Sequence, residues 1–352
     1  MRRGFPARGI SLLLVLGGFL GVLTTPAPSA ERESPLLTRC RELGARFTEM
    51  RDNGAKRLTA AELAAASDQL LGELRGLVAE ASSDAGVKAE GQKLLSYAYE
   101  FAGREAESRS TYSAYLDTLE GARGRDYAVM TVRRAGDRML RGKDPARAIV
   151  YYDLLAEKYP THVSKAEALY SSGLAAIELG AYGEAAERFD AAVTAAPQGY
   201  WAPWALRKKA HALFLSRLGE GDVSGVLQVL EELGKRYPTP QWCAYVQYRK
   251  GYVLASAGRY AEALAEYTKG LSDYPSSPYS NMGRRHVKLI REQMEKELLL
   301  VKKQQERKEA EEAAQTKEPA GVKTSAGAAA PPGPVSMLFG RDEDPSGGEG
   351  GQ

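Results

Sequence analysis

The chain has 352 residues, with 48 Lys and Arg against 45 Asp and Glu, 3 His and only 2 Cys. Two Cys exclude a disulfide framework and a four-thiolate zinc site, and His162, His211 and His286 stand too far apart to match a metal-ligand spacing. The positive excess of three sits in Arg2, Arg3 and Arg8, so the rest is neutral and has no bulk attraction for nucleic acid. All 19 Tyr and all 3 Trp fall between Tyr97 and Tyr279.

Residues 1–30 read as a secretory signal. Three Arg precede an apolar run over residues 10–23, and small residues follow through Ala30. At about 1.5 Å per residue the run spans roughly 21 Å, short of the ~30 Å hydrocarbon core. Cleavage after Ser29 or Ala30 leaves no stable membrane span; Pro28 keeps an uncleaved anchor open as the alternative. No Cys follows the run closely enough for a lipid anchor. The expected destination is outside the cytoplasm, and the periplasm if the source is Gram-negative.

Residues 31–87 read as two helices, forming an N-terminal cap or a divergent repeat. Leu36, Leu37, Leu43 and Phe47 make a sparse stripe, and Thr59-Ala60-Ala61-Glu62 is a capping box that opens the second helix.

Residues 88–275 repeat. Pro160, Pro197, Pro238 and Pro275 are 37, 41 and 37 residues apart. Eight residues before each stands a large side chain (Tyr152, Phe189, Leu230, Tyr267), and twelve before a small or β-branched one (Ala148, Ala185, Val226, Ala263). Twenty-four before stand Gly136, Gly173 and Gly251; the third unit carries an insertion around Gly219–Asp222, which moves its small position to Ala210. Residues four apart share a helical face. The small residue admits a neighbouring helix, and Pro ends the second helix of each pair. A degenerate earlier unit uses Ser96, Ser108 and Tyr112.

This grammar resembles the tetratricopeptide repeat family, on Gly173, Ala185, Phe189 and Pro197 in one unit and Gly251, Ala263, Tyr267 and Pro275 in another. The segments Lys158–Thr161 and Asp273–Pro278 resemble a bacterial envelope subset, including outer-membrane assembly lipoprotein-like and Tol–Pal-associated periplasmic repeat proteins. The resemblance implies an all-α, right-handed solenoid of helical hairpins closed by a long C-terminal capping helix. It also implies a concave groove lined by the first helix of each pair. Carried over by offset from each Pro, the groove residues are Arg133, Asp137, Tyr170, Leu174, Tyr245, Tyr248 and Tyr252. The insertion-corrected unit adds Trp204, Arg207 and His211, and the degenerate unit adds Lys93 and Tyr97. For each Tyr, packing between helices is the competing reading. For His211, an ordinary partly exposed histidine competes with a titrating one.

Residues 276–314 read as one helix, whose stripe of Val287, Ile290, Met294, Leu298 and Val301 is expected to pack. It is either a solenoid cap running into water or a short coiled coil that self-associates. Residues 315–352 have the composition of a disordered tail, interrupted by Met337, Leu338 and Phe339, a docking motif or incidental sequence.

No catalytic constellation or cofactor motif emerges. Cys243 reads as a structural thiol, with a Cys40 disulfide as an alternative. The expected function is an exported, non-enzymatic scaffold that binds a protein or peptide segment and no nucleic acid. A structural envelope component acting through the helix and tail is the alternative, and an enzyme with an unrecognised site a distant one.

Overall fold

A computed structural model describes residues 34–217 and 222–315. The expected signal, the Met337–Phe339 motif and most of the insertion at 219–222 lie outside these residues. Among the described residues the chain forms thirteen α-helices and one short 3-10 turn. The described residues divide into two compact units, one up to Ala168 and one from Leu169.

The first unit opens with α1 (Pro35–Arg57) and α2 (Ala60–Glu80). Thr59 accepts from the Glu62 amide while Glu62 accepts from the Thr59 amide, so both ends of the capping box are closed. Leu43, Phe47, Leu70, Leu71, Leu74 and Leu77 are buried together. Then come two hairpins, α3 (Ala85–Phe101) with α4 (Glu105–Arg123), and α5 (Arg125–Arg141) with α6 (Pro145–Lys158). Helix α7 (Lys165–Glu178) crosses the division between the units. The second unit continues with α8 (Tyr182–Ala195), α9 (Trp201–Ser216), α10 (Ser224–Arg236), α11 (Pro240–Ser256) and α12 (Tyr260–Asp273), and ends with α13 (Ser280–Gln315).

The repeat grammar has a direct packing cause. A Cβ on Gly136 would stand 2.6 Å from Tyr152 Cε1, and one on Gly173 2.7 Å from Phe189 Cε1. Gly251 faces Tyr267 at 3.0 Å in the same way. The ring of the second helix therefore lies against bare backbone of the first. Ala148, Ala185, Val226 and Ala263 are all buried. Helices α6, α8, α10 and α12 end immediately before Tyr159, Ala196, Tyr237 and Tyr274, and each of these precedes a Pro in non-helical geometry.

The turns between paired helices use left-handed backbone at Gly103, Gly180 and Gly258. In α5–α6 the same place is taken by Lys143, at φ 60°. A side chain there costs on the order of 1 kcal/mol. Lys143→Gly is expected to stabilise the first unit by ~0.5 kcal/mol after the added freedom of the unfolded chain is deducted. Thermal melting checks this; a lower midpoint would contradict it.

The start of α13 caps the last hairpin, with His286 and Ile290 buried. The expected packing stripe stops there: Met294, Leu298 and Val301 are exposed, at 37%, 58% and 56%. A 36-residue helix rises about 54 Å, and this one runs past the hairpin that would have covered it.

Candidate functional site

The first helices of the hairpins carry the expected groove residues, each described within its own unit. In the first unit Lys93 on α3 is buried and bonded to Glu90. Tyr97 is half-buried with its ring 6.4 Å from Tyr112, and burial pushes its phenol above the ordinary range. Arg133 on α5 meets Glu167 on α7 at 2.7 Å, with both side chains partly exposed. Asp137 accepts from the Tyr152 hydroxyl at 2.8 Å, which pins the ring that lies over Gly136. Asp137 is therefore a packing group of its own hairpin as well as a surface carboxylate.

In the second unit two expectations need correction. Tyr248 has no accessible surface: its ring fills the space above Gly270 and Gly283, so it joins α12 and α13 to α11. Tyr170 is 2% exposed and stacks between Phe189 and Trp201, at 5.7 and 4.9 Å. Neither ring can reach a partner. The physical reason is shared. Each ring is enclosed, Tyr248 over two glycines and Tyr170 between two other aromatic rings, and burial is worth roughly 2–3 kcal/mol for such a side chain. Leu174 is half-buried on α7.

The remaining residues converge, and Arg207, Tyr245 and Tyr252 among them are themselves buried, at 8% each. Arg207 on α9 lies with its guanidinium 5.3 Å from the Trp204 ring centre and 5.4 Å from that of Tyr245 on α11. Trp204 meets Trp242 at 5.0 Å and Tyr200 at 6.4 Å, and Tyr200 is 65% exposed. Tyr245 continues to Trp242 and Tyr279. One turn further along the helices, Arg249 lies 4.6 Å from the Tyr252 ring centre and 5.3 Å from that of Phe214. Its Nη2 is 3.3 Å from His211 Nδ1. Burial, reinforced by Arg249, Lys208 and Arg207, lowers His211 from its ordinary 6.5 to about 4. At neutral pH it is an uncharged acceptor beside a permanent cation. Two arginines, each flanked by aromatic rings, thus follow one another along α9 and α11.

Sequence reasoning missed Arg249 and Tyr200. Tyr245, Arg249 and Tyr252 are spaced i, i+4, i+7 on one helical face, a signal that was available. Nothing local marked Tyr200 as the exposed end of an aromatic row.

A cleft of about 280 Å³ opens between α1 and α2, lined by Arg46, Glu49, Met50, Asn53, Arg57 and Leu70. Arg57 meets Glu49 there at 3.1 Å, so the two charges satisfy each other. Among the described residues no three His, Cys, Asp or Glu cluster as a metal site, and no helix is long and apolar enough to cross a membrane. Cys40 is buried, Cys243 half-buried, and both are free thiols.

Helical hairpins joined by ring-on-glycine contacts and ended by proline define the class: an all-α solenoid of the tetratricopeptide type. Solved structures similar to the chain include MamA, from residue 41 to its end, of Desulfovibrio magneticus RS-1. It is 21% identical, with a TM-score of 0.34 over 50% of this chain and 96% of that one. The C-terminal part of a TPR repeat-containing protein from Cytophaga hutchinsonii is 12% identical, with a TM-score of 0.39 over 70% and 98% of the two chains. For PilF of Pseudomonas aeruginosa the values are 12%, 0.33, 71% and 99%. These likenesses concern the fold alone. No family model matches the chain, and no curated protein matches it.

Proposed function

We propose that this protein is an exported, non-enzymatic interaction scaffold of the cell envelope, and that it holds a partner's polypeptide segment against the first helices of its hairpins. The observation that carries this reading is the row Tyr200–Trp204–Arg207–Tyr245 in the second unit. Trp, Tyr and Arg dominate binding hot spots because they bring large contact area at low entropic cost. Here their geometry is set in advance: Tyr200, at 65% exposure, and the half-buried Trp204 are the surface a partner meets, and the buried Arg207 and Tyr245, at 8% each, hold it from beneath. The export and envelope parts of the reading rest on the composition of residues 1–30 and on the Tyr-Pro segments alone.

The test is capture of partners from an envelope fraction by the wild type and by Tyr200→Ala/Trp204→Ala. A hot spot of about 2 kcal/mol corresponds to roughly thirtyfold weaker binding. The double variant is expected to lose partners by that factor while keeping its helical circular dichroism. Equal recovery by a folded double variant would refute the groove reading. A fusion of residues 1–30 to a reporter active only outside the cytoplasm tests export separately.

A further inference from the structure

Half of the large hydrophobic side chains exposed among the described residues fall within eight positions of α13. They are Met294, Leu298, Leu299, Leu300 and Val301, the last four at 52–58% exposure. Such a concentration marks a contact surface rather than scattered surface apolarity. The last hairpin reaches α13 only along its Gln293 and Glu297 side, where Tyr260 at the start of α12 lies near Glu297, and full burial on α13 ends at Ile290.

We propose that a second copy of this chain covers the Met294, Leu298 and Val301 face of the band, its α13 running antiparallel across the first. Met294, Leu298, Val301 and Gln305 lie within one narrow stripe at 3.6 residues per turn. An antiparallel two-fold about the middle of the band maps this stripe onto itself. Leu298 then meets Val301 of the other copy, and Met294 meets its Gln305. One isologous patch serves both partners, as a two-fold dimer requires.

Charge selects the direction. The exposed residues on one flank of the stripe are Arg291 before the band, Glu295 within it, and Lys302 and Glu309 after it. Antiparallel pairing sets Glu295 beside Lys302 and Arg291 beside Glu309, and symmetry makes each pair twice. A parallel, in-register pair offers Glu297 with Lys302 and Lys308 with Glu309, but Glu297 is half-buried and already bonded to Gln293 at 3.2 Å. The inference rests on α13 alone and is independent of the aromatic row on α9 and α11.

Sedimentation of the full chain over roughly a hundredfold range of concentration tests it. The wild type is expected to dimerise with rising concentration. Leu298→Glu/Val301→Glu is expected to weaken the dimer by tenfold or more, with an unchanged melting midpoint at dilutions where the wild type is monomeric, because both residues are exposed. Glu295→Lys and Lys302→Glu should each weaken it, and the two together should restore it. A wild type that stays monomeric overturns the proposal, as does a dimer indifferent to the Leu298/Val301 change. A dimer lost on deleting 316–352, with Leu298 and Val301 intact, assigns the contact to the tail and also overturns it. Failure of the charge swap to restore association overturns the antiparallel direction.

Discussion

Gly136→Ala is expected to destabilise the first unit by about 2–3 kcal/mol, although the same change at an open helical position stabilises by roughly 0.5–1 kcal/mol. Gly136 lies in the interior of α5, where a glycine weakens the helix. Propensity alone therefore predicts a gain. Packing reverses the sign. The new methyl would enter the Tyr152 ring at 2.6 Å from Cε1 and 2.9 Å from Cδ1 and Cζ. The ring has nowhere to retreat: it is 1% exposed, and Asp137 holds its hydroxyl at 2.8 Å. Gly72 in α2 of the same unit is the control, because a Cβ there meets nothing within 4 Å. Gly72→Ala should raise the denaturation midpoint while Gly136→Ala lowers it. Adding Tyr152→Leu to Gly136→Ala should recover part of the loss. If both glycine variants move the midpoint upward, the ring-on-glycine contact is not what sets the repeat spacing.

The second large effect is a loss of stability on acidification from pH 6.5 to 4. His286 is 5% exposed, with its Nδ1 2.7 Å from the Tyr267 hydroxyl. Burial, with Arg285 nearby, lowers it from 6.5 to about 4, and His211 is lowered to about 4 by burial and Arg249. The unfolded chain takes up a proton at each site near pH 6.5, and the folded chain only near pH 4. Between these values the unfolded state holds more protons, so stability is full above pH 6.5 and falls toward pH 4. For the enclosed His286 the loss is on the order of 3 kcal/mol; the half-buried His211 contributes less. Melting between pH 7.5 and 4.5 should show the decline. His286→Gln keeps a hydrogen-bonding group for Tyr267 but does not titrate, so it should flatten the curve between pH 6.5 and 5. An unchanged slope in that variant would remove His286 as the cause.

The candidate site was legible in part. Trp204, Arg207, His211, Tyr245 and Tyr252 were placed by offset from the prolines, and they meet across α9 and α11. Tyr170 and Tyr248 follow the same offsets and are enclosed. Offset gives the angular position of a side chain on its helix. Whether that position opens to water depends on the neighbour's size, and Gly270 and Gly283 lie on elements that no offset from Tyr248 identifies. The stripe on α13 shows the complementary limit. Its 3–4 spacing is visible in sequence, but spacing does not say how far along the helix a covering element extends, and Leu298 and Val301 are bare for that reason.

Sequence by itself determined the hairpins of this protein. Proline positions end the second helices, glycines accept the facing rings, and Thr59 with Glu62 caps α2. Each of these acts over one or two turns of chain, where backbone sterics and local hydrogen bonds are set by residue type. Tertiary structure alone decided which aromatic side chains are enclosed and that Tyr200 and Trp204 are the accessible end of the row. It also decided where α13 leaves the array. Those outcomes depend on surface removed by residues distant in the chain, and burial is a property of the assembled neighbours rather than of the residue.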